Sequence, residues 1–276
     1  MLNVLPDAGL KGHPCFHPSA HHRFGRMHLP VAPRCNIKCG YCDRKLDCAN
    51  ESRPGASSKV ISPEDALAAF RRALAEEPRI RVAAVAGPGD PLANEETFRT
   101  FELVGAEFPG VIKCLSTNGL FLPENAERLH ALRVQALTVT VNAVDPEIGA
   151  RVYEWVEYGG RRLYGEEAAE RLISNQLGGI KKVVARGIAV KVNTVLIPGI
   201  NEAHARRIAL TVKQLGVRLM NIMPLYPAGS FKHLSRPTQE QLRAVRQHAG
   251  RVLQQMGWCR QCRADAYGLL SSSAHL

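Results

Sequence analysis

The stretch HLPVAPRCNIKCGYCDRKLDC, residues 28–48, sets a short apolar run directly before three cysteines, Cys35, Cys39 and Cys42, with Cys48 standing further off. Three thiolates this close in the chain are ligands for one metal centre. On a [4Fe–4S] cube they would hold three irons and leave the fourth open to another ligand. Zinc, or an electron-transfer cluster closed by a fourth cysteine, uses the same side chains. Whether Cys48 closes the first site or serves another is decided by the rest of the chain.

Working outward, RVAAVAG at 81–87, VIKCLST at 111–117, ALTVTVN at 136–142, IAVKVNTVLI at 188–197 and VRLMNIM at 217–223 read as strands, joining HLPVAP at 28–33. Helical patterns separate them. Ser62-Pro63-Glu64-Asp65 opens the first, with a Ser cap, Pro at the first position and acids in the first turn. Others are expected from about 94, from about 123, over 166–186, from near Asn201, and from about 238 to 256. This strict alternation predicts parallel strands with right-handed crossovers. Six units fall short of a closed eightfold barrel, and an open doubly wound sheet and a partial (β/α)6 barrel both satisfy the pattern. In either, ligands bind at the carboxyl ends of the strands, where the cysteine trio lies.

The chain has 276 residues, enough for one large α/β domain, and a net charge of +11. No apolar run approaches the ~18 residues of a membrane span. The first thirty residues lack an apolar signal region, so a cytoplasmic protein with no membrane is expected. The basic residues are dispersed, as in Arg71-Arg72, Arg161-Arg162, Lys181-Lys182 and Arg206-Arg207, which predicts no nucleic-acid platform. Eight cysteines without an export signal are ligands or reactive thiols rather than disulfides. Taken singly, Cys114 reads as a small core residue, and the terminal Cys259-x-x-Cys262 is ambiguous between zinc, redox and cluster roles.

Cys35-x3-Cys39-x2-Cys42 after the first strand of a βα series resembles the radical S-adenosylmethionine (SAM) superfamily. The resemblance implies a partial (β/α)6 TIM-like barrel and a [4Fe–4S] cluster on the trio whose open iron chelates SAM. By position it implies SAM contacts at Tyr41, Gly87, Asp90, Thr117, Asn142, Asn193, Val195 and Met223. The segment AGPGDPL at 86–92 lacks the Gly-Gly-Glu form common in that superfamily.

Further stretches resemble the NifB family of radical SAM maturases: HPCF, RKLDCANESRPG after the trio, VAGPGDPLAN, LSTNGL, VTVNAVDPEIG, VNTVLIPGIN and the terminal CRQC. That resemblance implies two more [4Fe–4S] clusters, K1 and K2, which are substrates. Cys48, Cys114 and His28 match the K1 ligands, and Cys15, Cys259 and Cys262 match the K2 ligands. His13, His17, His21 and His22 are other histidines within reach of the ligand role. The implied reaction is lyase-type: cluster fusion with carbide insertion, SAM serving as methyl donor and radical source. Asp43, Glu51 and Arg53 are candidates for proton transfer or for balancing cluster charge. The implied partners are an iron–sulfur cluster donor, an electron donor and a downstream cofactor carrier or scaffold.

The expected organisation is an N-terminal cluster-binding extension (1–27), a radical SAM core (28–257) and a C-terminal CxxC tail (258–276), both extensions irregular, without the cofactor-binding domain of longer family members. Rival readings are another multi-cluster radical SAM maturase and a non-catalytic iron–sulfur scaffold or carrier.

Overall fold

The structure, a computed structural model, describes residues 10–50, 52–272 and 274–276; Glu51 lies outside them. The strands are β1 (Gly25–His28), β2 (Ile37–Cys39), β3 (Ile80–Val85), β4 (Ile112–Thr117), β5 (Val134–Thr140), β6 (Tyr153–Tyr158), β7 (Arg161–Leu163), β8 (Ala189–Leu196), β9 (Leu219–Pro224), β10 (Gln254–Gln255), β11 (Ala266–Leu269) and β12 (Ala274–His275). The helices are α1 (Pro63–Glu76), α2 (Glu95–Glu107), α3 (Leu122–Ala131), α4 (Pro146–Ala150), α5 (Gly165–Ala185), α6 (Ala205–Gln214) and α7 (Gln239–Gly250).

The main sheet runs β10-β9-β8-β5-β4-β3-β1-β11-β12, and from β1 to β9 its strands are parallel and follow the order of the chain. A doubly wound sheet needs a point where strand order turns back. Here none occurs, so the windings all go one way and the sheet is an arc of a (β/α)6 barrel. One apolar cluster confirms this. It joins Phe70 of α1, Phe101 of α2, Leu129 of α3, Ile180 of α5, Ile208 of α6 and Leu242 of α7 to the outward residues Val85, Leu115, Leu137, Val192 and Ile222.

Side chains alternate along a strand, so the residues between these face inward. The inward rows are Ala84–Cys114–Ala136, Ser116–Thr138–Lys191 and Thr140–Asn193–Asn221, each paired across neighbouring strands. They are small or polar. An arc lined in this way leaves interior space rather than a packed apolar centre.

Several boundaries differ from the sequence reading for identifiable reasons. The first strand lies at 25–28, not 28–33. Pro30 and Pro33 lack the N–H that a ladder needs, so HLPVAP leaves the sheet after His28. The last helix ends at Gly250, and the chain beyond it joins β9 as β10. The connection after β5 carries an unforeseen hairpin, β6-β7, which pairs with β2 of the cysteine loop to make a three-stranded sheet, β2-β6-β7. YEWVEYGGRRL is a hairpin whose Gly159 and Gly160 both take positive φ, 59° and 74°, as a two-residue turn of this hand requires. The C-terminal extension is also more regular than expected. β11 pairs antiparallel with β1 and covers what would be an open sheet edge. Among the described residues, no helix is long and apolar enough to cross a membrane.

The helix starts follow their chemistry. The Ser62 side chain accepts from Asp65 N, and Thr238 and Gln241 form a reciprocal capping box at α7. Asn201 ties the site end of the sheet together. Its Nδ2 donates to the carbonyls of Asn142 (3.0 Å) and Val195 (2.8 Å), and its Oδ1 accepts from Ile197 N (2.8 Å). Asn201→Ala leaves these three backbone groups unpaired in a fully buried position. The expected loss is about 3 kcal/mol of unfolding free energy, read by urea denaturation as a lower midpoint at unchanged slope.

Candidate metal centre and adjoining cavity

The trio is held by backbone contacts on two sides. β2 carries Cys39 and pairs with β6, with Ile37 opposite Val156 and Lys38 opposite Trp155. Arg44, two residues past Cys42, stacks its guanidinium 5.2 Å from the Trp155 ring centre. On the other side, Gly89 N donates to Ala32 O (2.6 Å) and Asp90 N to Arg34 O (2.8 Å). Asn94 accepts from Arg34 N (3.1 Å) and donates to Arg34 O (2.8 Å), fixing the peptide just before Cys35. A Cβ on Gly89 would overlap the Arg34 carbonyl, so only glycine permits this approach.

Cys35, Cys39, Cys42 and Cys48 line one cavity together with Tyr41 and Asp90. All eight cysteines are free thiols. Burial pushes the Cys35 thiol up to about 11, with the nearby Asp90 carboxylate adding to it. Burial and then the Cys42 and Cys35 thiols raise Cys39 as well. Buried thiols this close together lose their protons to a metal rather than to water. Asn118 already faces one sulfur. Its Oδ1 accepts from Leu120 N (2.8 Å), which orients the amide, and its Nδ2 lies 3.7 Å from Cys35 Sγ and 2.7 Å from Asn36 Oδ1. Four free thiols share this cavity; the three of the trio, Cys35 with an N–H directed at it, fit a [4Fe–4S] cluster whose fourth iron is open if Cys48 does not close it.

The expected SAM contacts are spread over the trio's cavity, the backbone around it and a second cavity. Asp90 and Thr117 line the trio's cavity. The Asp90 carboxylate accepts from Leu92 N (2.9 Å), Thr117 Oγ1 (2.9 Å) and Asn118 N (2.6 Å), while burial holds its pKa up at about 6 against those donors. Gly87 stands behind, at φ 143°, where a Cβ would lie 3.5 Å from that of Ala264. Tyr41 donates its hydroxyl hydrogen to Asn50 Oδ1 (2.8 Å) and accepts from Asn142 Nδ2 (2.7 Å). Asn142 Oδ1 in turn accepts from Val195 N (2.9 Å). Asn193 and Met223 line a second cavity.

That second cavity holds Cys15, Cys114, Cys259, Cys262 and His28, so Cys114 and His28 are brought together but Cys48 is not with them. Asn50 and Ser116 line both cavities, which therefore adjoin. Cys114 sits on β4 between Ala84 and Ala136, whose small side chains leave the sulfur room. His28 ends β1, and its Nδ1 lies 2.8 Å from Arg263 O. A carbonyl only accepts, so the hydrogen is on Nδ1 and the lone pair on Nε2. Burial, then the Arg26 charge, lowers its pKa to about 3, so the ring stays neutral, the form in which imidazole binds a metal. Of the other histidines, His13 and His21 line this cavity, and His22 is exposed. Among the described residues its lining includes the buried cations Arg26 and Lys191 and no carboxylate.

Sequence reasoning did not single out Asn50, Asn94, Asn118 or Asn201. Each works through a tertiary hydrogen bond, and the signal that marks them in the sequence is that each lies in a stretch shared with the family, RKLDCANESRPG, VAGPGDPLAN, LSTNGL or VNTVLIPGIN. Of the loop residues, Arg53 N donates to Cys262 O (3.2 Å), and Asp43 Oδ1 accepts from Lys45 N (3.0 Å). No three His, Cys, Asp or Glu side chains among the described residues are grouped to hold a single metal ion.

The Radical SAM superfamily model matches residues 29–212, the segment that holds the trio and most of the arc. Solved structures share the fold. SAM-bound SuiB from Streptococcus suis aligns at TM-score 0.59 and 12% identity over 82% of this chain and 47% of that one. A radical SAM methyltransferase from Sphaerobacter thermophilus aligns at 0.58 and 20% over 84% and 64%. Closer in sequence is the FeMo cofactor biosynthesis protein NifB of Methanocaldococcus jannaschii, 48% identical over 261 residues, 94% of this chain and 87% of that protein. The NifB proteins of Chlorobaculum tepidum (44% identical over 95% of this chain) and Klebsiella pneumoniae (47% over 94%) are longer; the chain spans 62% and 57% of their lengths. The chain belongs to the NifB family of the radical SAM superfamily.

Gly89→Ala is expected to displace the Arg34–Cys35 backbone at a cost of about 1–3 kcal/mol. Iron content and visible absorbance after anaerobic reconstitution should fall. Full iron loading of this variant would show that the contact does not set the trio's geometry.

Proposed function

We propose that the protein is a SAM-dependent, lyase-type maturase that joins two [4Fe–4S] cubes into the eight-iron, carbide-centred precursor of the nitrogenase FeMo cofactor. The observation that carries this reading is the adjoining second cavity. Four free thiols, a neutral imidazole and two buried cations, without a carboxylate, suit an anionic iron–sulfur substrate. A radical SAM site alone has no need of it.

On this reading Cys35, Cys39 and Cys42 would hold the resident cluster, and two SAM molecules would be used, one supplying a methyl group and the other a 5′-deoxyadenosyl radical. Cys48, Cys114 and His28 hold one substrate cube, and Cys15, Cys259 and Cys262 the other. The Nδ1–H bond to Arg263 O leaves His28 Nε2 as the nitrogen that binds iron. A neutral ligand in place of a thiolate adds no negative charge to a cube that must be released. Cys48 opens on the trio's cavity, where a cube ligated by it would lie beside SAM. Tyr41, Asp90, Thr117, Asn142, Asn193, Val195, Gly87 and Met223 shape the SAM site. The Asn142–Tyr41–Asn50 chain holds Tyr41 rigid against that site. A cluster donor, an electron donor and a downstream carrier are the partners, in a cytoplasmic setting.

Anaerobic reconstitution tests the reading. About twelve irons per chain are expected from three cubes, with both 5′-deoxyadenosine and S-adenosylhomocysteine formed from SAM. Four irons alone, or no S-adenosylhomocysteine, would sink it. Cys48→Ala should lower the iron count by about four while 5′-deoxyadenosine still forms.

A further inference from the structure

Two ring nitrogens in the second cavity are buried donors without an acceptor. His13 is 2% exposed, and its Nδ1 accepts the backbone N–H of Cys15 at 3.1 Å. A neutral imidazole that accepts at Nδ1 carries its hydrogen on Nε2. That Nε2 is buried and has no hydrogen-bond partner. Trp258 Nε1, which can only donate, is buried and unpartnered as well. Both side chains line the cavity that contains Cys15, Cys259 and Cys262. Each stands next to one of those thiols in the chain, His13 two residues before Cys15 and Trp258 immediately before Cys259.

A buried N–H left unsatisfied costs about 1–3 kcal/mol. Two such donors on side chains that line one cavity form half of a binding site, and the missing half is an acceptor. The lining restricts what that acceptor can be. Thiols and the cations Arg26 and Lys191 surround it, and no carboxylate does, so it is anionic. The thiol sulfurs are engaged as iron ligands, which leaves the bridging sulfides of a bound cube as the exposed anionic acceptors.

We propose that His13 Nε2–H and Trp258 Nε1–H donate hydrogen bonds to sulfides of the iron–sulfur cube held by Cys15, Cys259 and Cys262, as positioning residues for that substrate. The inference rests on the reading of these cysteines as cluster ligands. The arrangement has a chemical purpose. A cube held by three thiolates and two N–H donors is fixed in orientation without a fourth bond to iron, so one iron stays open for coupling. N–H···S bonds also draw electron density from the sulfides and so raise the reduction potential.

The test uses the full chain, reconstituted anaerobically with iron and sulfide. Trp258→Phe and His13→Phe keep a ring of similar shape and remove the donor. Each is expected to shift the midpoint potential of one cluster to more negative values in an EPR-monitored titration. Each should also speed iron loss to a ferrous chelator several-fold. His13→Gln, whose amide can accept from Cys15 N–H and donate again, should restore much of the parent behaviour. Trp258→Phe removes one N–H only and carries the decision should His13→Phe fail to load. Parent-like potentials and release rates in a loaded Trp258→Phe overturn the proposal and leave the cluster reading standing. A parent protein that takes up only about four irons overturns the cluster reading itself.

Discussion

The inward face of the arc is the constraint on which the rest of the protein depends. Six parallel strands bury their outward residues under helices, but the inward rows carry Cys114, Ser116, Thr138, Thr140, Lys191, Asn193 and Asn221. Buried polar groups must find partners, and apolar filling would leave them unsatisfied. The Cys-bearing loop supplies some of those partners. Asn193 Nδ2 donates to Asn50 O (3.2 Å), and Asn50 Oδ1 accepts from Tyr41. The segment that carries the trio is thus a structural plug for a polar interior as well as a ligand donor.

The two chain extensions close the same space. His13 and Cys15 come from the N-terminal side, and Trp258, Cys259 and Cys262 from the C-terminal side. Arg263 O fixes the His28 ring, Cys262 O accepts from Arg53 N, and β11 fastens this tail to β1. A single edge strand therefore aligns the C-terminal thiols with the loop that follows the trio.

Electrostatics set the protein up to need its metal. Burial raises the Cys15 and Cys35 thiols and keeps His28 and His13 neutral, in an interior that also holds the cations Arg26 and Lys191. On the proposed function, iron-bound thiolates and sulfides would supply the charge those cations face. Metal loading and the stability of this interior are coupled through the same groups.

Local chemistry was legible from the sequence alone. The alternation of β and α units, the cap at Ser62, the trio's spacing and the membership of the family all follow from short-range patterns in the chain. The hairpin at 153–163 was also written there, as alternation around Gly159-Gly160, but lay inside what read as a connection. The tertiary structure decided between an arc and a doubly wound sheet, because strand order depends on which way each crossover turns and no residue encodes that by itself. It also decided that Cys48 opens beside the trio while Cys114 and His28 line a cavity with the terminal cysteines, and that His13 and Trp258, each with a buried unpartnered N–H, line the same cavity. These side chains are separated by up to most of the length of the chain. Spacing fixes ligands within a loop, but only the packing of distant segments against one polar face brings such groups to a common site.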